Sequence, residues 1–372
     1  MAGTGVSFTP PPYPYERLDV IRKLASVHDG GAIECSIGTP IDAPPDAVLR
    51  ELAKGIGARG YPTSQGSSDL RDSAAAWLQR RFGVTISSND VAACIGTKEF
   101  VGTLAGYLHL RTPERDTVLY PAISYPTYAM GATLAGLRPV PVKMRDGRLD
   151  LASIDAEDVA RALVLWANSP SNPTGYLDDL EAIAEWGRRH GVPVASDECY
   201  AEFTWAGAPR SILEHGSAGV LAVHSCSKRS NLAGMRAGFY AGDEELVGYL
   251  KLVRQHAGFM VPAPVQAAVA VAFDDDEHVN VQRERYRDRL TLMSGALQDF
   301  GVEAPMPEGA FYLWCSKEGL DGWQLASEIA ERSALVTSPG ELYGEDGRDF
   351  VRLAVVQSDE RLALAASRLR GV

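Results

Sequence analysis

The chain has 372 residues, 45% hydrophobic and 23% charged, a globular composition with length for about two domains and a large buried core. A formal net charge of −12 excludes nucleic-acid binding through a whole-molecule positive field and confines any anion site to a local pocket. Five scattered cysteines (Cys35, Cys94, Cys199, Cys226 and Cys315) without C-x-x-C spacing argue against a disulfide framework or zinc site and fit a reducing, cytoplasmic compartment.

The opening MAGTGVSFTPPPYPYERLDV has neither the basic nor the apolar region of a signal peptide, and its prolines predict an extended arm. No apolar run is long enough to span a bilayer. Residues 1–44 are expected to form this arm and part of a small domain. Strands are predicted at VAACI (91–95), TVLYP (117–121), RPVPV (138–142), ALVLWAN (162–168), VPVASD (192–197) and GVLAVHS (219–225). Helices are predicted over GTKEFVGTLAGYLHL, around 128–135 and over 178–190. The strand runs are continuously apolar, the mark of a mostly parallel α/β sheet covered on both faces. Such sheets bind ligands beyond the carboxyl ends of their strands. The clusters GTK, NSPSNPTG, SDECY and HSCSK all stand at predicted strand exits. From DDDEH (274–278) the pattern changes to a long charged helix, the strands FYLWC and VRLAVV, and further helices. Residues 45–275 are thus expected to form a large domain and 276–372 a smaller α+β domain. The acidic run is expected to serve the start of the long helix rather than a metal.

The clusters have ordinary readings as caps, turns and solvated loops. Their chemistry is more specific when taken together. Gly96 and Thr97 open a helix whose free N–H groups attract an anion, and Lys98 adds charge. In HSCSKRSNLAGMRAGF, Ser225 and Ser227 offer hydroxyls, Arg236 a bidentate phosphate grip, and Lys228 an amine able to form a Schiff base. Gly234 and Gly238 would let backbone pass closely. Asp197 ends an apolar strand and needs a cationic or donor partner. Asn172 offers an amide from a turn. A ligand with a phosphate, an aldehyde and a ring nitrogen satisfies all of these, and pyridoxal 5'-phosphate has all three.

These motifs resemble the fold-type-I aminotransferases of classes I and II over nearly the whole chain. The resemblance implies a large domain with a mostly parallel seven-stranded sheet between helices, a smaller α+β domain, and pyridoxal phosphate as cofactor. Lys228 of S-C-S-K matches the lysine that carries the cofactor. Ser225, Arg236, Thr97 and Lys98 match phosphate ligands, and Asp197 the partner of the pyridinium nitrogen. Tyr200 and Asn172 match donors to the ring hydroxyl, with Tyr200 also counted as catalytic. Tyr125 of S-Y-P-T-Y is placed like the stacking aromatic. Tyr61 of G-Y-P-T-S-Q-G matches a tyrosine reaching the neighbouring subunit's cofactor, which implies a homodimer with shared sites. Arg352 of V-R-L-A-V matches the clamp on the substrate α-carboxylate, with Gly38 and Asn172 beside it. No metal is implied.

The combination of S-I-G-T-P, I-G-T-K-E, N-S-P-S-N-P-T-G and R-Q-H-A-G-F-M-V-P-A-P-V-Q-A-A is similar to actinobacterial N-succinyldiaminopimelate aminotransferases. That implies amino-acid and 2-oxo-acid substrates, glutamate as donor, and no nucleic-acid or membrane partner. A distal substrate carboxylate would need a further cation, for which Lys98, Arg22, Arg254 and His256 are candidates by charge. Arg229 and Ser230 are expected to be bystanders, and Ser227 stays open between ligand and loop support. The same scaffold also serves aspartate, aromatic and kynurenine transamination, C–S β-elimination, and a non-catalytic regulator domain.

Overall fold

The computed structural model describes residues 8–55 and 58–371; residues 1–7 of the expected arm and Val372 lie outside them. A seven-stranded sheet is built from β1 (Val91–Cys94), β2 (Thr117–Pro121), β3 (Arg138–Val142), β4 (Ala162–Asn168), β5 (Val194–Asp197), β6 (Val220–Ser225) and β7 (Gly238–Gly242). Their order is β1-β7-β6-β5-β4-β2-β3. Strands β3, β2, β4, β5 and β6 pair in parallel, while β7 runs antiparallel to both β1 and β6.

The apolar runs explain the sheet. All seven residues of β4 are buried, because alternate side chains enter cores on opposite faces. Leu165 and Ala167 face a cluster with Trp77 and Ile183; Val164 and Trp166 face one with Phe100 and Tyr128. Trp166 stacks on Tyr128 with ring centroids 5.0 Å apart. Truncating such a side chain to alanine would cost about 3–5 kcal/mol. GFYAG, which the sequence pattern leaves unassigned, is β7. Its glycines hide its strand character, yet a Cβ on Gly238 would lie 2.5 Å from the His224 carbonyl oxygen, so the close pairing with β6 requires glycine there. The helix expected over 178–190 begins at Leu180, with the Asp179 carboxylate accepting from Ala182 N at 3.0 Å.

A second, three-stranded antiparallel sheet contains β8 (Tyr312–Ser316), β9 (Ser338–Pro339) and β10 (Phe350–Ala354) in the order β8-β10-β9. Its core also takes Leu18, Ile21 and Ile33 from the N-terminal segment. Ile33–Glu34 pairs in parallel with Leu335–Val336, which carries residues 36–39 toward the large sheet. In the acidic run, Asp274 accepts from Ser73, Asp275 from the N–H groups of Glu277 and His278, and Asp276 pairs with Arg80 and Arg229. No helix among the described residues is long and apolar enough to cross a membrane.

Candidate active site

A cavity of about 370 Å³ opens beyond the carboxyl ends of β1, β4, β5 and β6. On its floor, Ser225 caps the one-turn helix Cys226–Arg229, its hydroxyl accepting from Ser227 N at 3.1 Å. That turn aims Lys228 into the cavity, where Nζ donates to the Gly38 carbonyl. Arg236 then sits at φ 53°, a left-handed conformation unusual for a side-chain-bearing residue. Its guanidinium lies against Gly96, where a Cβ would come within 2.2 Å of Nη2. Gly96 has φ 70° as well, so this position requires glycine for both backbone and contact.

Gly96 is also the N-cap of helix Thr97–Arg111 and has no side chain with which to cap it. The first-turn N–H groups are left for a ligand. Thr97 is the first helical residue rather than the cap, and its hydroxyl accepts from Cys199 Sγ at 3.3 Å. Together the helix start, Ser225 and Arg236 form a cationic cup in an acidic protein. Arg236 has no carboxylate partner among the described residues; Nη1 donates to the Ala233 carbonyl at 2.8 Å.

Deeper in, Asp197 is buried at the end of β5. Its Oδ2 accepts from the Tyr128 hydroxyl at 2.9 Å and its Oδ1 from Cys199 N at 3.2 Å. Burial holds its carboxyl above the usual range, with these hydrogen bonds opposing the shift. Asn168 joins two elements: its Nδ2 donates to the Asp197 carbonyl at 2.8 Å and its Oδ1 accepts from Asn172 N at 2.7 Å. Asn172 Oδ1 in turn accepts from Arg352 Nη1 at 2.6 Å. The hydroxyls of Tyr200 and Tyr312 are 2.7 Å apart. A Cβ on Gly38 would lie 2.2 Å from the Tyr312 hydroxyl, so glycine is needed where the arm enters the site.

Arg352 is 1% exposed. Its guanidinium carbon lies 4.2 Å from the Tyr312 ring centroid and 4.8 Å from that of Tyr343, and Nη2 donates to the Ser36 carbonyl. It has no carboxylate partner among the described residues, and its Nε has no hydrogen-bond partner. Burial lowers the Lys228 ammonium to about 8; Arg352 and Arg236 add to the shift while Cys199 and Asp197 oppose it. Among the described residues, the cavity therefore holds a readily deprotonated amine, a buried carboxylate without a paired cation, and two guanidinium groups without anions.

The family model for aminotransferase class I and II matches residues 33–369. This chain belongs to that family. The aminotransferase is 42% identical over 367 residues to the 4-dedimethylamino-4-oxo-anhydrotetracycline transaminase OxyQ of Streptomyces rimosus, covering 96% of this chain and 99% of that one. It is 33% identical over 376 residues to the LL-diaminopimelate aminotransferase of Desulforudis audaxviator, covering 97% and 95%. Among solved structures, a probable N-succinyldiaminopimelate aminotransferase from Thermus thermophilus aligns with a TM-score of 0.85 and 31% identity, covering 96% of this chain and 99% of that one. The α/β fold with its mostly parallel sheet is that of the fold-type-I enzymes.

Members of this family use pyridoxal 5'-phosphate, and the residues present fit it. The uncapped helix start, Ser225 and Arg236 suit a phosphate, Asp197 without a cation suits a protonated ring nitrogen, and Lys228 suits an aldehyde.

In the aminotransferase, Gly38, Thr97, Lys98, Tyr125, Asn172, Asp197, Tyr200, Ser225, Ser227, Lys228, Arg236 and Arg352 all line the one cavity. Tyr61 does not; it is 99% exposed. Of the four cations considered for a distal carboxylate, only Lys98 reaches the cavity, its Nζ donating to the Tyr13 hydroxyl at 3.0 Å. Arg22 is held by Glu34 at 3.1 Å and Asp19 at 3.0 Å; Arg254 is committed to Glu99; His256 is exposed on the last turn of its helix. Arg229, expected to be a bystander, is a buried brace paired with Glu202 and Asp276, each at 3.3 Å. Gly234 faces open space, so no close backbone approach explains it.

Sequence reasoning misses Tyr13, Tyr15, Tyr128, Asn168, Cys199 and Tyr312, all of which line the cavity. Asn168 and Cys199 stand inside the quoted motifs NSPSNPTG and SDECY, where a turn asparagine and a lone cysteine carry no distinct signal. Tyr128 and Tyr312 lie on a helix and a strand where an aromatic residue reads as core.

Proposed function

We propose that this aminotransferase exchanges an amino group between N-succinyl-L,L-2,6-diaminopimelate and 2-oxoglutarate, giving N-succinyl-2-amino-6-oxopimelate and glutamate, as a cytoplasmic homodimer. The observation that carries the amino-acid reading is Arg352, a buried guanidinium at the cavity wall without an anion. An α-carboxylate supplies that anion in a bidentate geometry. Lys98, whose Nζ donates to the Tyr13 hydroxyl, offers a second cationic position in the cavity for a distal carboxylate. The similarity to diaminopimelate and N-succinyldiaminopimelate aminotransferases supports this substrate class.

When bound, pyridoxal phosphate supplies the electron sink that makes the substrate α-proton removable. The protein's part follows from its own groups. Ser225, Arg236, Thr97 and the helix start would hold the phosphate, Asp197 would stabilise positive charge at the ring nitrogen, and Tyr125 would pack beside the ring. Asn172 and Tyr200 would donate to the ring hydroxyl. Lys228, as a neutral amine near pH 8, takes and returns the proton at the α-carbon. Arg352, Asn172 and Gly38 fix the carboxylate end so that this proton faces Lys228. Tyr61, fully exposed and outside its own cavity, would serve the partner's phosphate. The hydrophobic clusters support a division into an arm with part of the small domain (1–44), a large domain (45–275) and a small domain (276–372).

The 42% identity to OxyQ and the tyrosine-rich wall favour a second reading, a bulky ring ketone as amino acceptor. One experiment tests the first reading. The cofactor-loaded enzyme is mixed with N-succinyl-L,L-diaminopimelate, L,L-diaminopimelate, glutamate, aspartate and phenylalanine, and the bound cofactor's visible absorbance is followed. Fast conversion by the first compound and by glutamate is expected. A faster reaction with aspartate or phenylalanine rejects the proposed substrate.

A further inference from the structure

Glu99 is an anomaly for a phosphate site. It is a carboxylate in the first turn of the helix whose N-terminus forms part of the cationic cup. Its Oε2 accepts from Ile95 N at 3.2 Å and its Oε1 from the Thr103 hydroxyl at 3.1 Å. The side chain thus folds back over the strand-to-helix turn and pins it, much as a capping-box glutamate does. A free carboxylate there would also repel a dianion bound at the same helix start.

Arg254 removes that charge. Its Nη1 meets Oε1 at 2.7 Å and its Nη2 meets Oε2 at 2.7 Å, a two-pronged pairing. Arg254 is 1% exposed and packs on Phe100, Tyr240 and Phe259, with its guanidinium carbon 5.2–5.8 Å from their ring centroids. It does not line the cavity; among the described residues its guanidinium meets Glu99 and these rings.

We propose that Arg254 is a positioning residue for the cofactor phosphate: it neutralises Glu99, so that Glu99 can hold the turn without weakening the anion site. This rests on the reading that the Thr97 helix start binds the phosphate. It also gives the R-Q-H-A-G-F segment a role away from the substrate.

The test compares a single and a double variant of the apoprotein, with equilibrium binding of pyridoxal phosphate and of unphosphorylated pyridoxal read by absorbance titration. Arg254→Met leaves Glu99 charged and is expected to weaken pyridoxal phosphate binding by at least about tenfold, because an uncompensated like charge then repels the anion. The pair Glu99→Gln with Arg254→Met is expected to recover most of that loss. Pyridoxal binding should change less than about twofold in either protein, because it lacks the anion. Should Arg254→Met fail to fold, Arg254→Lys loses the two-pronged grip but keeps a positive charge beside Glu99, and is expected to bind pyridoxal phosphate within about threefold of wild type. A double variant as weak as the single one, an equal loss for pyridoxal, or a folded Arg254→Lys as weak as expected for the methionine variant overturns the proposal. Failure of the wild-type protein to bind pyridoxal phosphate would instead overturn the cofactor reading itself.

Discussion

Two buried arginines make opposite use of the same chemistry. Arg229 and Arg352 are each no more than 2% exposed, and each guanidinium lies against aromatic rings. Arg229 meets the carboxylates of Glu202 and Asp276, and its charge is closed within the protein. Among the described residues, Arg352 meets an amide oxygen, a carbonyl and tyrosine rings but no carboxylate. An unpaired charge in the interior costs several kcal/mol unless something arrives to pair it. The difference teaches where the protein waits for a ligand. Asp197 has the complementary deficit, a buried carboxylate lacking a cation.

The largest effect is expected at the centre of the open region. Lys228→Ala should lower turnover by about ten-thousandfold, since it removes the proton-transferring amine, while the phosphate cup still binds cofactor. In steady-state assays, near-normal turnover would remove Lys228 from the mechanism.

Asp197→Asn comes next. It should lower turnover by about a hundredfold to a thousandfold, the size of a lost buried charge partner. Its apoprotein should behave differently. The folded pKa of Asp197 is raised, so the folded state holds that proton more firmly than the unfolded chain. The burden of its carboxylate is absent below the unfolded carboxylate range and grows as pH rises through that range to the folded pKa. The asparagine apoprotein should therefore melt at the same temperature as wild type or higher at neutral pH. A lower melting temperature there would place Asp197 among the structural groups.

The closed region should respond in the reverse sense. Arg229→Met is expected to cost about 3 kcal/mol of stability, because Glu202 and Asp276 lose a buried partner. Arg81, 2.8 Å from Glu202, tempers the loss. Substrate KM should stay within about twofold, since no substrate contact is removed. A raised KM with unchanged melting would show that Arg229 belongs to the open region after all.

The smallest effect is a pH slope. Lys228 titrates near 8 in the fold against a usual value of 10.5. Between these values the unfolded chain binds more protons, so apoprotein stability should rise with pH from about 8 to about 10.5 on account of this group. A Lys228→Met apoprotein should lack that contribution, as measured by the difference in melting temperature across the interval.

Much of this comparison was legible in the sequence because the open region is built at strand ends. VPVASD and GVLAVHS are apolar runs that stop at a polar residue, and that abrupt change marks where Asp197 and Ser225 emerge. The site's other half is less legible. Tyr128 reaches Asp197 across 69 residues and Tyr312 reaches Tyr200 across 112, contacts that only the tertiary fold creates. The cations show the same limit. Arg254, Arg22 and Lys98 look alike by charge, and only packing shows that Glu99 and Glu34 have claimed the first two. Arg229 misled for the same reason: its carboxylate partners are 27 and 47 residues away, and nothing local predicts its burial. β7 is not legible in the sequence because its glycines, needed for close pairing, carry no strand propensity.

The most direct measurement asks what anion Arg352 is waiting for. Arg352→Met and wild type are compared on an amino acid and on the matching primary amine, which lacks the α-carboxylate. The kcat/KM for the amino acid should fall by about a hundredfold to a thousandfold in the variant, while that for the amine stays within about threefold. An equal fall for both would contradict the assignment of Arg352 as the carboxylate's partner.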